Sequence, residues 1–251
     1  MLSICSCSLA PGDFGADAKP PGSDVRRQVI QRVSAVVVTE TGAVDRWVRS
    51  GFTGANAPKD ADGGSATPIS ADGYFLTANH VLSHAVGKKI FVLYGRRGRF
   101  VSSRARIVWR SRTADIALLH APLETPLFYE WTPANRWLAY GTKVIHGGIS
   151  TGLRSPVGRI TTAVPPDGTF ARHHRFKIDI PLQPGDSGGP IVDANGQLVG
   201  LNSSVEYLVP METPFFIESE GTRPDVSMIR GIIRADRARN NRGSGTGSKR
   251  S

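Results

Sequence analysis

Short runs of β-branched and aromatic residues recur along this chain, and almost nothing in it carries a helical period. That alternation limits the fold more than any other feature. The expected strands lie near Ser34–Thr39, Ala66–Ser70, Tyr74–Thr77, Lys89–Tyr94, Phe100–Trp109, Ile116–His120, Lys143–Gly147, Val157–Val164, Arg175–Ile180, Pro190–Val192, Leu198–Ser203 and Phe215–Ile217. Asp72-Gly73 and Asn195-Gly196 are the dipeptides that tight hairpin turns demand. Evenly spaced strands with turn signals between them point to an all-β protein, as barrels or a sandwich. Gly51 to Ser65 reads as a loop. The one convincing helix comes last, where Asp225 or Ser227 caps a stripe of Met228, Ile229, Ile232 and Ile233.

The totals agree with this. The 28 glycines and 17 prolines suit many turns. A chain of 251 residues, 39% hydrophobic and 21% charged, has the length and composition to bury a substantial core. Its two cysteines, Cys5 and Cys7, lie in the first ten residues. No disulfide therefore staples the body of the protein, and no cysteine cluster suggests zinc. We expect no metal and no cofactor.

Net charge is +10, and the surplus is uneven. Lys88, Lys89, Arg96, Arg97, Arg99, Arg104, Arg106, Arg110 and Arg112 form an acid-free stretch, and the tail after Met228 is again basic. Such a surplus attracts anionic surfaces weakly; a solubilising face with a solvated tail accounts for it equally simply. No nucleic-acid-binding motif accompanies it, and aromatics are not interleaved with it as base stacking requires. No run of about 18 apolar residues is present to span a membrane as a helix. Ile4-Cys5-Ser6-Cys7 loosely resembles the end of a lipoprotein signal, with an unstructured leader as the plainer account.

Chemistry concentrates in Pro184-Gly185-Asp186-Ser187-Gly188-Gly189-Pro190. Serine attacks a carbonyl only when a base takes its proton and donors hold the developing oxyanion. Glycines let the backbone bend until successive N–H groups share one concavity. Gly185 and Ser187 are the natural pair for that oxyanion hole. Of six histidines, His80 stands at a strand end after a turn, where a scaffold delivers a catalytic side chain. His84, His173 and His174 have surface or packing roles as sufficient explanations. A histidine base needs a carboxylate to fix its tautomer. Asp115, just ahead of the apolar run Ile116-Ala117-Leu118-Leu119, is the candidate, with Asp72 and Asp179 explained by turn and strand-edge positions.

These segments resemble the chymotrypsin-like serine proteases, and Ser70–Val81, Asp115–Leu119 and Pro184–Ser203 especially resemble the bacterial HtrA (Deg) branch. The resemblance implies two perpendicular six-stranded antiparallel β-barrels with a cleft between them. It implies a serine endopeptidase with the triad His80, Asp115 and Ser187, and a polypeptide substrate. By the family pattern, Pro181 marks the base of the S1 pocket and Ser203, Ser204 and Val205 its wall. No carboxylate stands at that base and Val205 replaces a glycine, so small or medium apolar P1 residues are expected. The sequence departs from the branch in carrying Asp186 where HtrA proteins carry Asn. In trypsin zymogens the matching Asp meets a newly cut N-terminus, but no Ile-Val-Gly-Gly-like start is present, so activation by cleavage is not expected. The chain is also too short for a PDZ domain after the protease.

The expected organisation is a flexible leader (1–27), a protease domain (28–238) and a disordered basic tail (239–251). The domain divides into barrels at about 28–125 and 140–222 and a helix at about 225–238. The expected location is the bacterial cell envelope or beyond it, as a periplasmic protein or a lipoprotein, with the cytoplasm left open. Two rivals compete with the protease: an inactive protease-fold binding module, and an α/β-hydrolase esterase. Gly185-Asp186-Ser187-Gly188-Gly189 fits the esterase motif, but that fold needs the order Ser, Asp, His, and this chain runs His, Asp, Ser.

Overall fold

The computed structural model describes residues 19–42, 44–50, 58–96, 99–151, 154–169, 172–208 and 215–245. Helix α1 (Ser23–Gln31) comes first, then β1 (Ser34–Thr39), helix α2 (Val44–Arg49), β2 (Asp62–Pro68) and β3 (Tyr74–Ala78). A single 3-10 turn, Asn79–Leu82, leads towards β4 (Lys89–Arg96), β5 (Arg99–Ser111) and β6 (Ile116–His120). The second half supplies β7 (Lys143–His146), β8 (Val157–Arg159), β9 (His173–Ile178), β10 (Pro190–Asp193), β11 (Leu198–Leu208) and β12 (Phe215–Pro224), and ends in α3 (Val226–Gly245).

The first six strands close into a barrel in the order β1-β2-β3-β6-β5-β4, antiparallel at every pair. The second six form a sheet ordered β8-β7-β10-β11-β12-β9. Its two edges meet: Thr161 N–H donates to Lys177 O (2.8 Å), Asp179 N–H to Arg159 O (3.2 Å), and Ile160 bridges Ile178. The sheet thus curls round on itself. With the C-terminal helix, this is the chymotrypsin-like double barrel.

Burial explains why several strands read as unbroken apolar runs. In β3, Phe75 points into the first barrel, while Tyr74 and Leu76 point out into a second cluster. In β6, Ala117 and Leu119 face in, and Ile116 and Leu118 face out. The outward set packs with Ile145, Val192, Leu198 and Leu201 of the second barrel and with Val25, Val29, Val226, Ile229 and Ile233 of the flanking helices. Strands buried on both faces lose the polar alternation of a half-solvated sheet. The second barrel has its own interior around Val144, Ile160, Phe176, Ile178, Ile191 and Val199.

Several elements depart from the expected pattern: helix α2 is not among those expected, and β12 runs to Pro224. Helix α1 starts inside the segment expected to be a flexible leader, and it buries two side chains one turn apart, Val25 and Val29. Strand β2 starts at Asp62, within the expected loop. Its Gly63 and Gly64 suit a place where a Cβ would collide with Val36 O or crowd Ser187 O. Helix α3 runs on to Gly245, past the expected end at 238. Asp225 caps it, accepting from Met228 N–H at 3.0 Å. Asp236 of α3 binds Tyr74 Oη (2.8 Å) and Arg106 of the first barrel (Nη1, 3.0 Å). Arg237 pairs with Asp72 at 2.6 Å. The last helix therefore grips the first barrel. No helix among the described residues is long and apolar enough to cross a membrane. Cys5 and Cys7 lie outside the described residues.

Candidate active site

The base end of the site begins where β3 runs out. His80 sits in the 3-10 turn directly after that strand, its side chain half exposed. Asp115 stands immediately ahead of β6, the neighbour of β3, so strand pairing alone brings the two together. Asn79 N–H donates to Asp115 O (3.1 Å), which fixes the two backbones. The Asp115 carboxylate then accepts from His80 N–H through Oδ1 (2.9 Å) and from His80 Nδ1 through Oδ2 (2.8 Å).

Asp115 holds φ at +51°, in the left-handed region where a residue with a Cβ is uncommon and Asp is among the better tolerated. Burial alone would push its carboxyl up. Hydrogen bonds from His80 and from the Ser203 hydroxyl outweigh that and hold it below the usual carboxylate range. An ionised Asp115 at hydrogen-bond distance favours the His80 proton on Nδ1, which leaves a lone pair on Nε2. The same bond raises His80 above the ordinary imidazole value, against the opposing pull of partial burial.

The family pattern that puts Ser203 in the S1 wall carries no sign of a bond to Asp115. In the structure Ser203 Oγ donates to Asp115 Oδ2 at 2.5 Å, and its carbonyl accepts from Ser187 Oγ at 3.4 Å. Ser203 thus bridges the carboxylate on the first barrel to the serine on the second. Residues 16 and 88 positions from it in the chain meet there, so no local pattern could have signalled the contact. Pro181 is exposed just beyond β9. The side chains of Ser204 and Val205 lie outside the described residues.

Ser187 lies in a loop whose geometry is backbone-made. Gly185 and Gly188 take φ of +97° and +86°, which glycine alone adopts without strain. A Cβ on Gly188 would collide with Ser65 O and Thr77 Oγ1. Ser65 N–H donates to Ser187 O (2.9 Å) and Thr67 Oγ1 to Gly188 O (2.9 Å), so β2 of the first barrel fastens the loop of the second. Neither Gly185 N–H nor Ser187 N–H donates to any acceptor among the described residues. Ser187 Oγ is bonded to Ser203 O rather than to His80.

Asp186 is fully buried. Its carboxylate accepts from the N–H groups of Ser150 (3.1 Å), Thr151 (3.0 Å) and Gln183 (3.0 Å) and from Thr151 Oγ1 (2.9 Å). His146 Nε2 lies 3.5 Å away and itself accepts from Gly148 N–H at 2.9 Å. Burial opposes ionisation of Asp186, but the donors gathered around it more than offset that, and the carboxyl lies below its usual range. Donors from within the chain therefore satisfy the buried charge.

The remaining histidines are elsewhere. His84 is exposed and pairs with Asp62 (3.1 Å). His173 and His174 lie in β9, paired with Pro224 and Arg223 of β12. Among the described residues no three His, Cys, Asp or Glu side chains gather as a metal site requires.

Two β-barrels, with a histidine–carboxylate pair on one and a glycine-framed serine on the other, define the chymotrypsin-like class of protein. Comparison with known proteins agrees. The family model for the trypsin-like peptidase domain matches residues 64–201, and the chain belongs to that family. A Pseudomonas putida protein described as "probable periplasmic serine endoprotease DegP-like" is 32% identical over 149 residues, covering 57% of this chain and 29% of that protein. A Synechocystis protein described as "putative serine protease HhoB" is 25% identical over 171 residues, covering 62% of this chain and 39% of that one. The chain thus spans well under half the length of these relatives. Among solved structures, the HtrA-type protease AlgW with a tripeptide superposes with a TM-score of 0.59 at 20% identity, over 86% of this chain and 63% of that one, and shares the fold.

Proposed function

We propose that this chain is a serine endopeptidase that cleaves polypeptides through an acyl-enzyme, with Ser187 as nucleophile, His80 as base and Asp115 as the carboxylate behind it. One observation carries the reading: His80, held at Nδ1 by Asp115, is joined through Ser203 to a serine whose loop offers two amides with no acceptor among the described residues. A rotation about the Cα–Cβ bond takes Ser187 Oγ from Ser203 O towards His80 Nε2. Oγ then attacks the substrate carbonyl carbon while its proton passes to Nε2. The carbonyl oxygen becomes an oxyanion, held by the N–H groups of Gly185 and Ser187. Collapse breaks the C–N bond, and the leaving amine takes the proton from His80. Water then attacks the acyl-Ser187 ester, giving its proton to His80, and the acid departs as Oγ regains a proton. No step needs a cofactor.

The working domain of this reading is the pair of barrels together with the helices that flank them, from Ser23 to Gly245. Relatives named as periplasmic endoproteases support a place in the cell envelope. Any contact of the basic surface with anionic partners is secondary to the chemistry.

An organophosphonate or fluorosulfonyl probe tests the reading directly. Mass spectrometry should place the adduct on Ser187, and none should form on Ser187→Ala. Peptide turnover should fall by about 10⁴- to 10⁶-fold in Ser187→Ala and His80→Ala, with the fold intact. A wild type that resists the probe would establish the inactive binding module instead. An equal loss in His84→Ala, with His80→Ala active, would mean that the base is the other histidine.

A further inference from the structure

We infer that Ser150 is a positioning residue for the oxyanion site: its hydroxyl holds the Pro184–Gly185 peptide in the one orientation that presents the Gly185 N–H. The inference rests on the proposed role of Ser187 and adds to it a residue from a different segment of the chain.

The argument starts from the turn before the serine. Asp186 N–H donates to Gln183 O (3.0 Å), which closes Gln183-Pro184-Gly185-Asp186 as a β-turn. Gly185 at its third position has φ of +97°, which makes the turn type II. Types I and II differ chiefly by a half-rotation of the central peptide, and proline suits the second position of both. Glycine suits the third position of either, since it takes positive and negative φ alike. The sequence therefore permits both. In one, the Gly185 N–H faces the site; in the other, the Pro184 carbonyl does, and an acceptor stands where an oxyanion must bind.

Ser150 selects between them. Its Oγ donates to Pro184 O at 2.6 Å, drawing that carbonyl away from the site. Ser150 is itself fixed, because its N–H donates to the buried Asp186 carboxylate at 3.1 Å. A Cβ at position 185 would collide with Ser150 Oγ, so glycine there lets the hydroxyl approach as well as letting the backbone turn.

The neighbouring carbonyls are claimed in the same way. Gly185 O accepts from Ser65 Oγ (2.7 Å), which in turn accepts from Ile149 N–H (2.8 Å). Asp186 O accepts from Gly189 N–H (2.9 Å) and Gly189 O from Asn202 N–H (2.8 Å). Every carbonyl from Pro184 to Gly189 has a donor. Among the described residues, the Ser150 bond is the hydrogen bond that opposes the flip at the peptide carrying the Gly185 N–H. Ser150 is exposed, so removing its hydroxyl leaves no buried hole.

The test compares wild type, Ser150→Ala and Ser150→Thr on a chromogenic peptide ester, alongside the ¹⁵N–¹H resonance of Gly185. In Ser150→Ala we expect kcat to fall by about 10- to 100-fold, short of the full loss of one oxyanion donor. KM should stay within about twofold, and the Gly185 resonance should move. Ser150→Thr keeps the hydroxyl and should restore both. An unchanged kcat, or a lower kcat with Gly185 unmoved, would overturn the inference. Failure of the hydrolase reading looks different, as a wild type inert to the serine probe. In that event the Gly185 resonance still decides the brace: a shift in Ser150→Ala upholds it, and an unmoved signal refutes it.

Discussion

The two halves of the site are built by different means. On the first barrel, His80 and Asp115 are set by side chains that touch each other and by strand ends that lie side by side. On the second, Ser187 is set by backbone. Glycines with positive φ make the bend, and the Ser65 amide, the Ser65 and Thr67 hydroxyls of β2 and the Ser150 hydroxyl hold carbonyls of the loop. A side-chain construction fails when one group is lost. A backbone construction fails when a distant brace is lost, even though every reacting group remains.

Three changes would break or sharpen that contrast. The largest effect belongs to the first barrel. Asp115→Asn should lower kcat/KM by about 10³- to 10⁴-fold, because the amide no longer enforces the Nδ1–H tautomer. Asn tolerates the left-handed backbone at this position, so the fold should persist, with the melting temperature lowered only by the weakened His80 and Ser203 bonds. Activity close to wild type would remove Asp115 from the mechanism.

Asp186→Ala comes next and strikes the second barrel. It strips the acceptor from the amides of Ser150, Thr151 and Gln183 and from the Thr151 hydroxyl. Stability should fall by about 3 kcal/mol or more, since each unmet buried donor costs about 1–3 kcal/mol. In the fraction that remains folded, turnover should drop about 100-fold as the loop loses its shape. Denaturant melts and active-site titration separate the two effects. A folded variant of normal activity would show that the loop holds itself.

The smallest effect is a pH shift. Only neutral His80 can take the serine proton, and its bond to Asp115 raises its pKa. The acid limb of kcat/KM should therefore lie above the ordinary 6.5 and move down in Asp115→Asn. Stability runs the other way. The His80 contribution is full below 6.5 and is lost as pH rises through the raised value. The Asp115 contribution is present above 3.8 and is lost as pH falls through its lowered value. An acid limb at or below 6.5 in the wild type would deny the coupling.

The same division governed what could be read from sequence. His80, Asp115 and Ser187 stood out because residue type, local context and chain order each constrain a side chain's chemistry. Strands with two buried faces, such as Ile116–His120, were legible because their apolar runs are unbroken. Strand β2 was hidden, since its first residues are glycines selected by what passes close to them rather than by strand propensity. The polar second half of β12 was hidden too, its Glu218 and Glu220 pairing across to Lys177 and Arg175. Helix α1 offered only two apolar anchors. The braces Ser150 and Ser203 gave no local signal, because each acts on a backbone or carboxylate far away in the chain.

One apolar cluster threads both barrels and the two helices at the ends of the described fold. A shared core of this kind braces the two barrels against each other. Neither barrel can swing without tearing Leu76, Leu118, Val192 and Ile229 from a common packing. For the proposed peptidase, this means that a polypeptide reaches Ser187 already extended or unfolded rather than by parting the barrels.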